Sequence, residues 1–359
     1  MMWGWTLTFS LAFAWPEKGP EGVETGRTVD SAQLFSEGAF PADRVITEPA
    51  EIGAMCRSML EYLRNQPDPW ATPGMLAEQG VTAEQIRATL EKVAVTAETS
   101  PEKLSDPTFL AENFRYLRWS PDQTTAGKRG ITLAPGEARL TKYVIYRQSG
   151  SSVRTATHTH ALYAVPADEA GMTEAEATEK RGELTRFRYT RPEIFAGALE
   201  GSAQPLVWLS QEGVIQAMLQ GTVEVTLADG SPHWFNVHRH NGIPYDRAEK
   251  DGTKQARYWY FREVPGPLGW GSDPDHKVQV HPGVVVAGDV YNFGLGILFL
   301  LETAPGEARL AILADTGGAF QPNLYQLDYL AGTFDSEAEM YRQTKDVPDR
   351  VRGGVLIVR

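Results

Sequence analysis

Between Leu310 and Leu330 the chain reads LAILADTGGAFQPNLYQLDYL. Leu310 to Ala314 is an unbroken apolar run, long enough for a buried strand and too short to define a helix. It stops at Asp315-Thr316-Gly317-Gly318. There a turn-forming acid precedes two glycines, which can take positive φ or let the backbone pass close to a ligand. A second acid, Asp328, follows among Leu327, Tyr329 and Leu330. Desolvation by such neighbours raises a carboxyl pKa, and a carboxyl still protonated near neutrality can donate a proton. A plainer reading stands beside this one. Asp-Thr-Gly-Gly also ends strands in Asx-type turns, and a lone Asp also caps helices or sits in solvent.

At 359 residues the chain exceeds the usual size of a single core, so two domains are expected. A net charge of −12 argues against a nucleic-acid backbone or an anionic membrane surface as partner. Nine Trp and 13 Tyr supply flat faces that either stack on sugar rings or fill cores. Cys56 is the single cysteine, which excludes an intrachain disulfide and a cysteine-based metal site, and it lies too far in for lipid anchoring. The opening MMWGWTLTFSLAFA is apolar and ends in the small-x-small pattern Ala12-Phe13-Ala14, although no basic residue precedes Lys18. Residues 1–15 are therefore expected to be an export signal. The next most apolar stretch, Val284 to Leu300, is interrupted by Asp289 and Asn292 and does not read as a membrane span.

Residues 16–50, rich in Pro, Gly and acids, read as a tail or linker. Ile52, Met55, Met59, Tyr62 and Leu63 recur at helical spacing up to Pro67. Thr82 and Gln85 form a capping box ahead of Ile86, Leu90 and Val93. Phe109 to Trp119 reads as a third helix. After Gly130 the chain turns to strands: Leu140–Tyr146, Ala161–Val165, Val223–Leu227, Trp234–Val237 and Tyr258–Phe261. VEVTL-ADGSP-HWFNV has a hairpin signature with Asp229-Gly230 at the bend. Met172–Arg181 is polar and acidic, a solvated helix or loop. APGEARL occurs at 134–140 and again at 304–310, a recurrent loop ahead of a strand and not a solenoid repeat.

Three chemistries fit single motifs. Asp315-Thr316-Gly317 matches an aspartic-protease loop, but that chemistry needs two such loops sharing a proton and the chain has one. His158-x-His160 and His238-x-His240 could each turn two imidazoles to one strand face, yet nothing fixes a third ligand and no metal is expected. A phosphate-cradling loop, a serine nucleophile elbow and HExxH are all missing.

Taken in order, several stretches resemble the membrane-bound lytic transglycosylase A family, whose C-terminal part is the three-aspartate (3D) domain. They are MLEYL (59–63), FRYLRW (114–119), LTKYVIYRQSGSSVRT (140–155), ALYAVP (161–166), YTRPEIFAGAL (189–199) and PLVWL (205–209). MLQGT (218–222), NGIPY (241–245), YFREVPGPLG (260–269) and ADTGGAFQPNLYQLDYLAG (314–332) complete the series. The resemblance implies a mainly β fold with N-terminal helices: a double-psi β-barrel interrupted by an inserted smaller β-domain, with a groove between them. Residues 51–155 and 256–359 would form the barrel, the latter being its 3D part, and 156–255 the insertion.

The resemblance further implies cleavage of the β-1,4 bond between N-acetylmuramic acid and N-acetylglucosamine in peptidoglycan, without water. Asp328 would be the catalytic acid, then base, and Asp315 a supporting acid. Gln220, Gly221 and Thr222 match the family's groove-lining Gln-Gly-Ser segment, and Thr141 matches the threonine of its Thr-Gly-Tyr-Tyr segment. Expected partners are glycan strands and other cell-wall enzymes, with no cofactor and no nucleic acid. The expected state is an exported monomer, periplasmic or outer-membrane associated, with no lipid-anchor cysteine. The alternative function is a non-catalytic glycan-binding protein of the cell wall.

Overall fold

The structure, a computed structural model, describes residues 34–359 apart from 247, 318, 319, 321 and 322. The expected signal at 1–15, most of the tail at 16–50 and Gly318 lie outside the described residues. The strands are β1 (Phe35–Glu37), β2 (Arg44–Ile46), β3 (Phe114–Trp119), β4 (Ala138–Ser149), β5 (His160–Tyr163), β6 (Pro205–Leu209) and β7 (Thr222–Thr226). They continue with β8 (Pro232–His240), β9 (Trp259–Val264), β10 (Val285–Ala287), β11 (Leu298–Ala304), β12 (Glu307–Asp315), β13 (Gln326–Phe334) and β14 (Arg350–Val358). The helices are α1 (Pro49–Asn65), α2 (Ala83–Thr99), α3 (Pro107–Asn113), α4 (Gln123–Lys128) and α5 (Glu174–Glu179). α6 (Arg191–Phe195), α7 (Gln211–Gln220), α8 (Val290–Phe293) and α9 (Glu337–Gln343) complete the set.

Helix α1 buries Ile52, Met55, Met59, Tyr62 and Leu63, the stripe that its spacing predicts. Both bonds of the Thr82–Gln85 capping box start α2, at 3.1 and 3.2 Å. The two helices approach closely where Gly53 meets Ala97; a Cβ at 53 would lie 2.5 Å from the Ala97 Cβ. Phe109–Trp119 is not one helix: α3 stops at Asn113, and Phe114 to Trp119 pairs antiparallel with β14. Phe114, Tyr116, Leu117 and Trp119 are buried in that sheet, so pairing overrides local helix preference. Nor is 34–50 a tail. β1 pairs with β3 and β2 with β12, so two three-residue strands are held by partners remote in sequence.

One mixed sheet of twelve strands runs β1-β3-β14-β11-β12-β10-β13-β4-β7-β8-β9, with β2 beside β12. β14 also pairs with β4 through Arg350 and Arg139, so β14, β11, β12, β10, β13 and β4 form a closed ring of pairings. The arrangement is a partly ringed mixed sheet with helices. Strand β4 serves two neighbourhoods: Arg139–Tyr146 lie beside β13, and Tyr146–Ser149 beside β7. Buried apolar side chains fall into two clusters, one around the ring and α1–α2, the other drawn from Ala161 to Phe261. The hairpin β7–β8 turns at Asp229-Gly230, where Gly230 has φ 84° and Asp229 Oδ1 accepts from the Ser231 N–H at 2.9 Å. Among the described residues no helix is long and apolar enough to cross a membrane.

Candidate functional site

Four neighbouring strands bring the expected acids and Thr141 into one lateral row. In register, Asp315 on β12 stands level with Ala287 on β10, Ala287 with Asp328 on β13, and Asp328 with Thr141 on β4. A bulge makes this row: Val286 faces Leu313, yet Ala287 faces Asp315, so Ala314 is skipped. Such an extra residue re-aims the side chain beside it. With adjacent strands about 4.8 Å apart, the two acids are separated by roughly 10 Å between Cα atoms.

Asp315 is firmly held. Its Oδ2 accepts from the Tyr143 hydroxyl at 3.0 Å and its Oδ1 from the Thr316 N–H at 2.8 Å. Thr316 in turn donates from Oγ1 to the Gly288 carbonyl at 2.7 Å, and Gly288 N–H donates to the Asp315 carbonyl at 3.0 Å, clamping the ends of β10 and β12. Gly317 does not take a positive φ, and among the described residues a Cβ there would meet only the Phe320 ring, at 3.9 Å. Asp328 is held less. Its Oδ1 is buried and, among the described residues, has no hydrogen-bond partner. Gln326 Nε2 donates to Thr141 Oγ1 at 2.9 Å, which fixes the threonine beside Asp328.

Burial pushes Asp328 up to about 6, with the Asp315 charge adding to it and the Thr141 hydroxyl, Arg139 and Lys142 opposing. Burial also pushes Asp315 up to about 6, against the Thr316 N–H, the Tyr143 hydroxyl and the Lys277 charge. Burial and both carboxylates carry the Tyr143 hydroxyl well above its ordinary value. The Asp315 charge acts on Asp328, and their hydrogen bonds distinguish the two acids. Two donors stabilise Asp315 as an anion, whereas the unpartnered oxygen of Asp328 is better suited to carry a proton. A protonated acid beside an anchored carboxylate can perform general acid and then general base catalysis.

The other expected residues sit across β4. Gln220 ends α7, and Gly221 closes it at φ 82°. Gln220 Oε1 accepts from the Val144 N–H at 3.3 Å, next to Tyr143. Thr222 Oγ1 accepts from Asn236 Nδ2 at 2.6 Å, and the Gly221 carbonyl accepts from the same amide at 3.0 Å. Lys277 Nζ donates to Asn236 Oδ1 at 3.3 Å and to the Val237 carbonyl at 3.0 Å. Sequence reasoning passed over Tyr143, Asn236 and Lys277 as site residues. The alternation of β4 could have found Tyr143, two positions beyond Thr141; no local pattern marks the other two.

Asp289 is buried and caps α8, accepting from the Asn292 N–H at 3.0 Å and the Asn323 N–H at 2.9 Å. The histidine pairs part company: His158 lies among Thr155 and Thr157, His160 packs on Phe195, His238 meets Asp275 at 2.6 Å and His240 packs on Trp259. Among the described residues no three His, Cys, Asp or Glu are grouped to hold a metal ion.

No protein-family model and no curated protein matches the sequence. Solved structures do match the fold. A membrane-bound lytic murein transglycosylase from Agrobacterium tumefaciens superposes with TM-score 0.59 at 20% identity, over 86% of this chain and 92% of that one. MltA from Neisseria gonorrhoeae gives TM-score 0.59 at 16% identity, covering 96% of each chain. MltA from E. coli, crystallised with bound chitohexaose, gives 0.57 at 16% identity over 96% of this chain and 99% of that one. The chain has the fold of the MltA-type lytic transglycosylases.

Proposed function

We propose that this protein is an exported peptidoglycan lytic transglycosylase that cleaves the β-1,4 bond between N-acetylmuramic acid and N-acetylglucosamine. The observation that carries the reading is Asp328: a desolvated carboxyl with one unpartnered oxygen, in one row with an anchored second acid, within an MltA-type fold. Asp328 gives its proton to the leaving glycosidic oxygen, and the muramic acid C1 develops oxocarbenium character. The C6 hydroxyl of the same sugar attacks C1, and Asp328, now ionised, takes the hydroxyl proton. The product is a 1,6-anhydro ring, and Asp328 returns to its protonated form. Ordinary glycosidases need two carboxylates, one to activate a nucleophile or to serve as one. Internal attack substitutes effective concentration for that second group, leaving Asp315 to position Asp328 or substrate. Thr141, Gln220, Gly221 and Thr222 serve as glycan contacts in this reading. The ring of six strands is read as a double-psi barrel and the second apolar cluster as the inserted domain at 156–255.

The test is incubation of the purified chain with sacculi, with products followed by mass spectrometry. Release of 1,6-anhydromuropeptides by the wild type and its loss in Asp328→Asn is the expected result. Sacculus binding with no anhydro product from the wild type would leave a glycan-binding protein instead.

A further inference from the structure

We propose that Lys277 is a positioning residue of this site, joining the Gly221-Thr222 end of the glycan contacts, which it reaches through Asn236, to Asp315. The inference deepens the transglycosylase reading and rests on it for the glycan's identity. Its geometric part stands alone.

Lys277 lies on a hairpin closed by the bridges Leu268–Gln279 and Asp273–His276. One strand of the hairpin is pressed against the end of β12 at Asp315: Trp270 N–H donates to the Ala314 carbonyl at 2.9 Å, and a Cβ on Gly269 would lie 2.6 Å from that carbonyl and 3.3 Å from the Asp315 Cβ. Glycine is required there because the hairpin backbone touches the residues that carry the acid. The same hairpin reaches the other half of the site. Asn236 Nδ2 approaches the Leu268 carbonyl at 3.3 Å while also holding Gly221 and Thr222, and Lys277 occupies the amide's oxygen. Lys277 thereby fixes which way the amide faces, since an ammonium can only donate. Its charge also acts on Asp315.

The charged and titratable groups facing the acids are Tyr143 on β4, Lys277 on the hairpin, and Arg139 and Lys142 on β4; Asp315 also acts on Asp328. Lys277 bears on Asp315 and the β4 cations on Asp328. One side chain thus orients the amide and adds to the charge that favours the Asp315 anion.

Two variants separate those roles. Lys277→Gln is neutral but can still donate to Asn236 Oδ1, and Lys277→Met is neutral and cannot. Asp carboxyl carbons are followed by NMR titration in the full chain, with Asp315→Asn used for assignment, and sacculus digestion is measured across pH. In both variants Asp315 should titrate higher than in the wild type, and the acid limb of the activity profile should rise with it. KM for glycan should rise several-fold in Lys277→Met and stay near wild type in Lys277→Gln. If Asp315 titrates in both variants as in the wild type, the proposal is overturned. Equal KM effects in the two variants would also overturn it, because the bond to Asn236 would then be irrelevant. A shifted Asp315 in a chain that yields no anhydro product even as wild type would uphold the role of Lys277 toward the acid and reject the transglycosylase reading.

Discussion

Asp315 and Asp328 occupy one lateral row across three strands, with only Ala287 between them. Ala287 is itself buried between the two strands that carry the acids. Ala287→Val should therefore press on both acids. Overpacking of this kind costs about 1–3 kcal/mol, and the expected outcome is a lower melting temperature together with a loss of sacculus digestion larger than the stability change explains. A variant that keeps full activity would show that the spacing of the acids is not critical.

Removing one acid should stabilise the protein in a pH-dependent way. Asp289, Asp315 and Asp328 all have folded values near 6, above their ordinary 3.8. A raised carboxyl favours the folded state while protonated, so its contribution is fully present below about pH 4 and is lost as pH rises through about 6. Asp328→Asn removes one such loss. Its stability relative to wild type should improve from about pH 4.5 to about pH 7.5, by about 1–2 kcal/mol after allowance for the partial exposure of the residue. Chemical denaturation at the two pH values measures the difference. The same values put the optimum of the proposed reaction on the acid side of neutrality, where Asp328 still carries its proton.

Tyr143→Phe tests the anchor on Asp315. The phenol donates to Oδ2 at 3.0 Å, leaving the Thr316 N–H as the other bond to that carboxylate. Losing a hydrogen bond to a charged group costs about 1.5–3 kcal/mol. Asp315 should then titrate higher and compete for the proton that Asp328 needs, lowering turnover more than glycan binding. Steady-state kinetics on sacculi, with a separate pull-down for binding, would show the split.

What the sequence made legible was local. The capping box of α2, the apolar stripe of α1 and the turn at Asp229-Gly230 each rest on residues a few positions apart, and each formed as expected. The acids were legible as candidates, because a carboxyl among Leu327, Tyr329 and Leu330 can be desolvated, although an exposed Asp fits the same pattern. Their alignment was not, since it depends on a bulge that skips Ala314 and on pairing between strands from distant parts of the chain. Short strands such as β1 and β2 carry too few residues to show a period, and Phe114–Trp119 became a strand because β14 was there to pair with it. Lys277 escaped for the same reason: its partners Asn236 and Val237 are brought to it only by the fold.

The hairpin bearing Lys277 is tied through Asp275 to a buried charge network. Glu169 accepts from Arg186 Nε and from Arg239 Nη1, both at 2.7 Å, with all three side chains almost wholly excluded from water. Arg186 continues to the His240 carbonyl and to Glu174, while Arg239 continues to Asp275 on the hairpin. Two guanidinium ions thus depend on a single carboxylate for their deepest bonds. Glu169→Gln keeps the shape but withdraws the fully buried carboxylate from both guanidinium ions and leaves them to the partly exposed Glu174 and Asp275; weakening a hydrogen bond to a charged group costs about 1.5–3 kcal/mol. The expected outcome is a denaturation midpoint well below that of wild type, with the near-ultraviolet signal of Tyr258, Tyr260 and Trp259 lost early. Because Asp275 and Lys277 share one hairpin, glycan binding should weaken as well. A variant that unfolded like wild type would mean that solvent reaches Arg186 and Arg239 more freely than their burial implies.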